Sequence, residues 1–506
     1  MVHDDTQKSR LDARLLTFSI ERPSSMPLHR QVYAAIREAI LDGRLPAGSR
    51  LPSTRRLAEE LGVSRNTVLA AFEQLQAEGF LLGRTGSGTR VTDTLSPTLL
   101  SRRAQRQPWD ERAAEPPRLS SRCEALAEIP GAVPVGTGRD FAFTPAMPAL
   151  DLFPYGLWSR LAGVCARRLS RRAFAIAGPP GLASLREALA TYVGAARGVS
   201  CTAEQVVVVS GAQQALDLAA RALVDPGDHT GIENPGYPGA RGGLVAAGAR
   251  VVPIPVDGEG LCVEALASLA PQARLVYVSP SHQFPLGMTM SASRRLELLD
   301  WAHRSDAWVI EDDYDSEFRY SGQPLTALRG LDQDDRVVYV GTFSKSVFPA
   351  LRLGFVVLPQ ALVKPFVIVR THADLAPPIL DQMILAEFLK RGHFARHVAR
   401  MRRVYRARRD ALLDAVHEHC SDLLEVTPDD MGLRLIGWLP PGVDDRAACR
   451  AAASHGVEVL PISMFYDGEC PRGGLVLSFG ATTESAIHSG VVQLAHALRE
   501  VVLRDT

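Results

Sequence analysis

Apolar residues recur at Leu28, Val32, Ala35, Ile36, Ala39 and Ile40, the period of an amphipathic helix, and Asp42-Gly43 ends the run. A second, short helix is predicted after Ser53, with Leu57, Ala58 and Leu61 on one face and Gly62 closing it. Ser64 then caps a third helix, Arg65 to Glu78, in which Val68, Leu69, Phe72 and Leu75 are expected to face inward. Arg65, Asn66 and Thr67 occupy its exposed first turn. Gly79 stops this helix, and Phe80 to Leu82 and Thr89 to Val91 read as two short strands around a glycine-rich loop. Helix, tight turn, capped polar helix and hairpin together describe a winged helix-turn-helix. Its recognition helix would present Arg65, Asn66 and Thr67 to base edges. Its wing would approach a phosphate or the minor groove closely, with Arg84 supplying the charge there.

Between residues 93 and 136 the pattern lapses into Pro, Arg, Ala and Ser, including Arg102, Arg103, Arg106, Pro108, Pro116 and Pro117, which predicts a flexible connector. From Asp151 onward apolar strands alternate with helices. Strands are expected at Val206–Val209, Leu275–Val278, Trp308–Glu311 and Val337–Val340, and a helix at Gly211–Ala222. The fold class is α/β, with expected domains at residues 1–92, 93–136 and 137–506.

Composition narrows the possibilities. The 506 residues exceed one ordinary core, and 46% apolar with 22% charged residues is a globular balance. No uninterrupted apolar run approaches the roughly 18 residues of a membrane helix, and the polar start Met1-Val2-His3-Asp4-Asp5 lacks the order of an export signal. A cytoplasmic protein is expected. Seven scattered cysteines, never spaced as metal pairs, predict core thiols and no metal centre. The formal net charge is zero, so contact with nucleic acid has to come from a local surface. Residues 43–90 supply one, with seven arginines against four glutamates.

The candidate chemistry lies at the ends of the predicted strands, where ligands of such sheets bind. Lys345 is one of only four lysines in the chain and sits in Gly341-Thr342-Phe343-Ser344-Lys345-Ser346. Arginine stays protonated near neutral pH, whereas lysine condenses with an aldehyde, so a lysine retained here points to Schiff-base chemistry. Ser210-Gly211-Ala212-Gln213 follows a strand and opens a helix, an anion seat to which Thr342, Ser344 and Arg352 add donors. Asp312 can meet a protonated ring nitrogen, and Tyr314, with His282, a phenolic oxygen. Tyr237 can lie against a ring face. A phosphate cup, a carboxylate, a phenol and a lysine together describe pyridoxal 5'-phosphate.

Two resemblances support these expectations. Pro46-Ala47-Gly48-Ser49-Arg50-Leu51-Pro52-Ser53-Thr54-Arg55-Arg56-Leu57-Ala58, followed by Leu61-Gly62-Val63-Ser64-Arg65-Asn66-Thr67-Val68, resembles the winged helix of the GntR regulators. That likeness implies operator contacts by Arg50, Ser53, Arg55, Arg56, Ser64, Arg65, Asn66, Thr67 and Gly86. From about Asp151 to the C-terminus the chain resembles the fold-type I aminotransferases, a mostly parallel-sheet domain with a smaller C-terminal α+β lobe. The segments Asp151-Leu152-Phe153-Pro154, Pro280 to Gly287, Glu311 to Tyr320 and Gly341 to Lys345 are similar to the MocR regulators, which join the two modules. This implies a transcriptional regulator, a head-to-tail homodimer on operator DNA, that senses pyridoxal phosphate or an amine or amino acid through Lys345. The alternative is a working aminotransferase with an accessory N-terminal domain. Three departures bear on the choice. Val476 stands where an Arg-x-Ser-Phe carboxylate clamp is usual, leaving Arg434, Arg241 or Arg472 to serve; Phe284 replaces an asparagine, and Ala177 a tyrosine. The missing clamp favours sensing of the cofactor itself.

Overall fold

The computed structural model describes residues 20, 22, 26–84, 88–93, 118–131, 141–169, 178–322 and 325–505. The chain divides into two compact units, residues 1–118 and 119–506.

In the first unit, helices α1 (Leu28–Leu41), α2 (Thr54–Leu61) and α3 (Arg65–Ala77) precede the hairpin strands β1 (Leu81–Arg84) and β2 (Gly88–Val91). The side chains of Ser53 and Ser64 cap α2 and α3 by accepting from the amides of Arg56 and Thr67, and Gly62 ends α2 at φ 61°. Residues 49–51 extend the hairpin: the Leu51 amide donates to the Thr89 carbonyl at 2.9 Å and the Val91 amide to that of Ser49 at 2.9 Å. Val32, Ile36, Ala39 and Ile40 of α1 pack on Leu57 and Ala58 of α2 and on Val68, Ala71, Phe72 and Leu75 of α3. Leu69 departs from expectation, being 40% exposed while Ala71 is buried. The inward stripe of α3 runs 68, 71, 72, 75, and Leu69 sits about 100° off it.

The second unit begins inside the expected connector. Helix Ser121–Ala127, capped by the Ser120 side chain, sets Arg122 within 3.5 Å of the Ala246 carbonyl of helix Pro238–Ala247. This part of the connector is therefore structured, because Ser120 ends the irregular run with a cap that composition alone obscures. The prolines and arginines at 102–117 lie outside the described residues.

The main sheet holds β3 (Val206–Val209), β4 (His229–Asn234), β5 (Arg250–Asp257), β6 (Gly260–Leu261), β7 (Leu275–Val278), β8 (Trp308–Asp313), β9 (Val337–Thr342) and β10 (Gly354–Val357). Their order is β3-β10-β9-β8-β7-β4-β5-β6. Strands β9, β8, β7, β4 and β5 are parallel, and β10 runs antiparallel between β3 and β9. Both faces are covered: Val206 and Val208 pack into one apolar cluster, Val207 and Val209 into another, so β3 is apolar at every position. This topology brings the carboxyl ends of β3, β4, β7, β8 and β9 to one edge, where β10 begins with Gly354 opposite both Val209 and Thr342. Strands β8 and β9 run two residues past the ends expected from the sequence, and Asp312 pairs with Val340 and Asp313 with Gly341 in register.

The C-terminal lobe is a four-stranded antiparallel sheet, β11 (Glu425–Val426), β12 (Arg434–Trp438), β13 (Leu460–Pro461) and β14 (Gly474–Ser478), in the order β11-β12-β14-β13. Helices His393–His419 and Glu484–Asp505 close its core around Met401, Leu412, Leu435, Leu477, Val491 and Leu494. Among the described residues no helix is long and apolar enough to cross a membrane.

Candidate functional site

On the first unit, Arg65 and Asn66 are exposed at the start of α3, while Thr67 is half-buried. The Thr67 hydroxyl lies 2.8 Å from that of Ser64, so both hydroxyls are engaged in holding the helix start. Arg55 and Arg56 reach back to Glu59 (3.4 Å) and Glu60 (2.8 Å) along α2. Such exposed pairs are worth under about 1 kcal/mol and exchange readily for phosphate. Arg50 is bridged to Arg90 beside the hairpin, and a Cβ on Gly88 would fall 2.9 Å from the Arg50 Nε, so glycine there leaves room for the arginine. Arg84 ends β1; Gly86 lies outside the described residues.

In the second unit a cavity of about 300 Å³ opens at the carboxyl edge of the sheet, with Lys345, Asp312, Tyr314, Arg352, Thr342 and Ser344 in its wall. Ala212, Gln213 and Tyr237 also line it. The Lys345 ammonium donates to the Ala146 carbonyl at 2.7 Å. Ala146 itself sits at φ 60°, a conformation that costs a residue with a Cβ about 1–2 kcal/mol. Burial pulls the Lys345 pKa down to about 8, against the raising influence of Asp315.

Two positive-φ residues shape the Arg352 end of the cavity. Gly211, at φ 87°, precedes helix Ala212–Leu223, whose first-turn amides have no intrahelical acceptors. Arg352, at φ 49°, donates to the Ser210 carbonyl at 3.0 Å, and a Cβ on Gly211 would meet its guanidinium at 3.4 Å. Ser210 and Gly211 thus stand behind the arginine and outside the cavity wall. The Ser344 amide donates to the Thr342 hydroxyl, which in turn donates to the Ser344 hydroxyl, so the two oxygens lie together.

Asp312 accepts from the Tyr277 hydroxyl at 2.7 Å through one carboxylate oxygen, and its Oδ1 is buried without a partner. Burial raises its pKa to about 7, with the Tyr277 bond opposing. An orphaned buried carboxylate oxygen is costly unless a donor from a ligand completes it. Tyr237 stands edge-on to Phe284 (5.7 Å between centroids), its hydroxyl 3.5 Å from Gln213; burial pushes its pKa up to about 12. A cationic donor for Asp312, an anion for the Arg352 end and an electrophile for Lys345 are the three groups this cavity fits. The pyridoxal phosphate expected from the sequence carries all three.

His282 is placed differently from the expectation. It lies outside the cavity wall, behind Tyr314, buried between Asp315 (2.9 Å) and Asp429 (2.8 Å). Burial disfavours its charge, but Asp315 overrides this and raises its pKa. The Tyr314 hydroxyl donates to the His282 carbonyl at 2.7 Å, so His282 supports the phenol from below.

Of the three arginines offered as substitutes for a clamp, only Arg434 lines the cavity. Arg241 pairs with Asp467 at 2.9 Å and Arg472 with Glu425 at 2.8 Å. Arg434 lies on β12 opposite Ser478 of β14, two residues along from Val476. It donates to the carbonyls of Pro285 and Gln283 and to the Tyr314 hydroxyl, and its guanidinium lies over the Phe284 ring at 4.8 Å. Ala177 lies outside the described residues. Sequence reasoning missed Tyr277, a polar end on an apolar strand whose neighbour in the sheet carries Asp312, and the carbonyl of Ala146, which no side-chain pattern betrays.

Comparison with known proteins follows this division. Residues 28–91 match the bacterial regulatory proteins of the gntR family and residues 162–487 the aminotransferase class I and II family. The chain is 40% identical over 94% of its length to the probable rhizopine catabolism regulatory protein MocR of Rhizobium meliloti, covering 95% of that protein. The chain belongs to the MocR-type regulators. Members of this family join the two modules found here, and the chain is a DNA-binding transcriptional regulator with an aminotransferase-like domain. It is 31% identical to the pyridoxine biosynthesis transcriptional regulator PdxR of Corynebacterium glutamicum, over 94% of this chain and 96% of that one. Its second domain resembles the α-aminoadipate aminotransferase LysN of Thermus thermophilus, solved with N-(5'-phosphopyridoxyl)-L-leucine, at 28% identity and a TM-score of 0.67 over 76% of this chain and 96% of that one.

Proposed function

We propose that the aminotransferase-like domain of this regulator is a sensor for pyridoxal 5'-phosphate, or for an amine or amino acid that reaches it, and that its state alters operator occupancy. The cofactor is pyridoxal 5'-phosphate. When bound, it supplies an aldehyde for an amine to attack and an electron-withdrawing ring. Arg352, Thr342, Ser344 and the backbone from Ser210 to Gln213 hold the phosphate. Asp312 would accept the N–H of the protonated ring nitrogen and hold that charge in place, Tyr314 would bond the phenolic oxygen, Tyr237 would cover the ring and Lys345 would face the aldehyde. The observation that carries this assignment is the unpartnered Oδ1 of Asp312 in a residue that shares one cavity with the Lys345 amine.

Arg50, Arg55, Arg56, Arg65, Asn66 and Thr67 contact the operator, with Ser53 and Ser64 fixing the helix starts, and Arg84 and Gly86 serve the wing. The protein acts in the cytoplasm as a head-to-tail homodimer on paired half-sites. Sensing of the cofactor itself is favoured because Arg434 already spends its Nε and one terminal nitrogen on carbonyls and on Tyr314. A bound arginine of this kind fixes the phenol rather than awaiting a substrate carboxylate. The alternative of a working aminotransferase draws on the same complete cavity, and predicts steady turnover of amino and keto acids without sequence-selective DNA binding. Footprinting of the adjacent intergenic DNA, with and without pyridoxal phosphate and candidate amines, tests the sensor. A change in protection supports it; unchanged occupancy under every condition overturns it.

A further inference from the structure

Away from both sites, the C-terminal lobe carries three metal-ligating side chains at the crossing of its two long helices. Glu418 and His419 end helix His393–His419, and His488 lies in the second turn of helix Glu484–Asp505. The Nε2 atoms of His419 and His488 stand 3.1 Å apart, and the Glu418 Oε2 lies 3.7 Å from each of them. One ligand atom from each residue falls within 4.8 Å of the other two. A hydrogen bond between the two imidazoles accounts for the first distance alone. The Glu418 carboxylate oxygen adds a third ligand atom, equidistant from both nitrogens, within ion-pair range of each and beyond hydrogen-bond reach of either.

A tetrahedral ion with ligand distances of about 2.0–2.1 Å holds its donors roughly 3.3–3.4 Å apart, a spacing that falls between the short edge of this triangle, 3.1 Å, and its two longer edges, 3.7 Å. The rings are perpendicular, at 89°, so the two nitrogens approach each other without the rings stacking. His419 is the last residue of its helix, where the negative end of the backbone dipole favours a cation. Arg499, which donates to the His419 carbonyl, pairs with Asp422 at 4.0 Å, which offsets its charge.

We propose that Glu418, His419 and His488 form a binding site for a first-row transition-metal dication, with zinc, cobalt or nickel as the class that two imidazoles and a carboxylate select. The fourth position is open to solvent, since the His488 and Glu418 side chains are 56% and 64% exposed. A bound ion links the end of one long helix to the start of the other and so stiffens the lobe that carries Arg434.

The test is equilibrium dialysis of tag-free, full-length protein against zinc chloride, with thermal unfolding measured on the same samples. The wild type is expected to hold one zinc per chain more than His488→Ala and His419→Ala, and to show a zinc-dependent rise in melting temperature that both variants lose. Glu418→Gln, a surface change that spares the fold, loses the same increment. His417→Ala, which removes an exposed neighbouring histidine, keeps it. Equal stoichiometry in wild type and His488→Ala, or loss of the increment in His417→Ala, overturns the proposal.

Discussion

Lys345 combines two demands that oppose each other. Condensation with an aldehyde needs the free base, and retention of an amine near a buried carboxylate favours the cation. Burial decides it, with the pKa brought down to about 8. Near pH 7 roughly a tenth of such an amine is unprotonated, against less than about a thousandth for an ordinary lysine. Covalent capture of pyridoxal phosphate by the apoprotein, trapped with borohydride, is therefore expected to accelerate about tenfold from pH 6 to pH 7 and to level off above pH 8. A rise continuing towards pH 10 would show that burial does not govern the amine. The linkage to folding has the opposite sign from that of a salt-bridged lysine. Between about pH 8 and the unfolded value near 10.4 the unfolded chain retains a proton the native chain has lost, so this residue lets stability rise with pH in that window.

Asp312 poses the converse case, since its pKa near 7 reflects a charge that lacks its counterpart. Asp312→Asn keeps the Tyr277 hydroxyl bonded and removes the charge. It is expected to weaken pyridoxal phosphate binding by about 1.5–3 kcal/mol, roughly 10- to 150-fold, without loss of melting temperature. Equilibrium dialysis with the cofactor and a thermal melt read the two effects separately. An unchanged affinity would remove Asp312 from the site.

Among the elements, β12 and the turn before it decide whether the phenol is held. Gly432 precedes Arg434 by two residues, sits at φ 76°, and donates its amide to the Phe318 carbonyl at 2.9 Å. A Cβ there would lie 2.2 Å from a ring carbon of His282 and 2.7 Å from the Asp315 carboxylate. Gly432→Ala combines a left-handed strain of about 1–2 kcal/mol with overpacking of about 1–3 kcal/mol. The expected result is a melting temperature lowered by several degrees, together with a Tyr314 environment altered in the cofactor's absorbance spectrum. A wild-type melt would mean that the turn yields easily. This same element shows what the chain discloses by itself. Local signals were legible: the Ser53 and Ser64 caps, the apolar run of β3 and the hydroxyl-rich end of β9 all speak within a few residues. The phase of α3 was less so, since Leu69 is as apolar as its buried neighbours and only packing separates them. Contacts between distant segments were not legible. Arg434 meets Tyr314 across 120 positions, and His282 meets Asp429 across 147, by a topology that no local pattern encodes.

For the whole molecule, a sensor is defined by a coupling free energy between cofactor and operator, and such a coupling is reciprocal. If pyridoxal phosphate changes operator affinity by some factor, saturating operator must change pyridoxal phosphate affinity by the same factor, because both describe one thermodynamic cycle. Couplings of about 1–3 kcal/mol, or roughly 5- to 150-fold, are the usual range and lie within reach of titration. Lys345→Ala separates binding from signalling. The winged helix is a compact unit of its own, with its core closed by residues of α1, α2 and α3, so the variant is expected to bind operator. What it loses is the response: its operator affinity stays at the cofactor-free value however much pyridoxal phosphate is added. Two fluorescence titrations, operator at fixed cofactor and cofactor at fixed operator, measure both arms of the cycle at one stated salt concentration, since phosphate contacts make the affinity strongly salt-dependent. A wild-type factor of one in both arms would leave the aminotransferase-like domain as a passenger. A Lys345→Ala protein that still responds would assign the sensing to noncovalent contacts, with Arg352 and Asp312 as the groups that carry it.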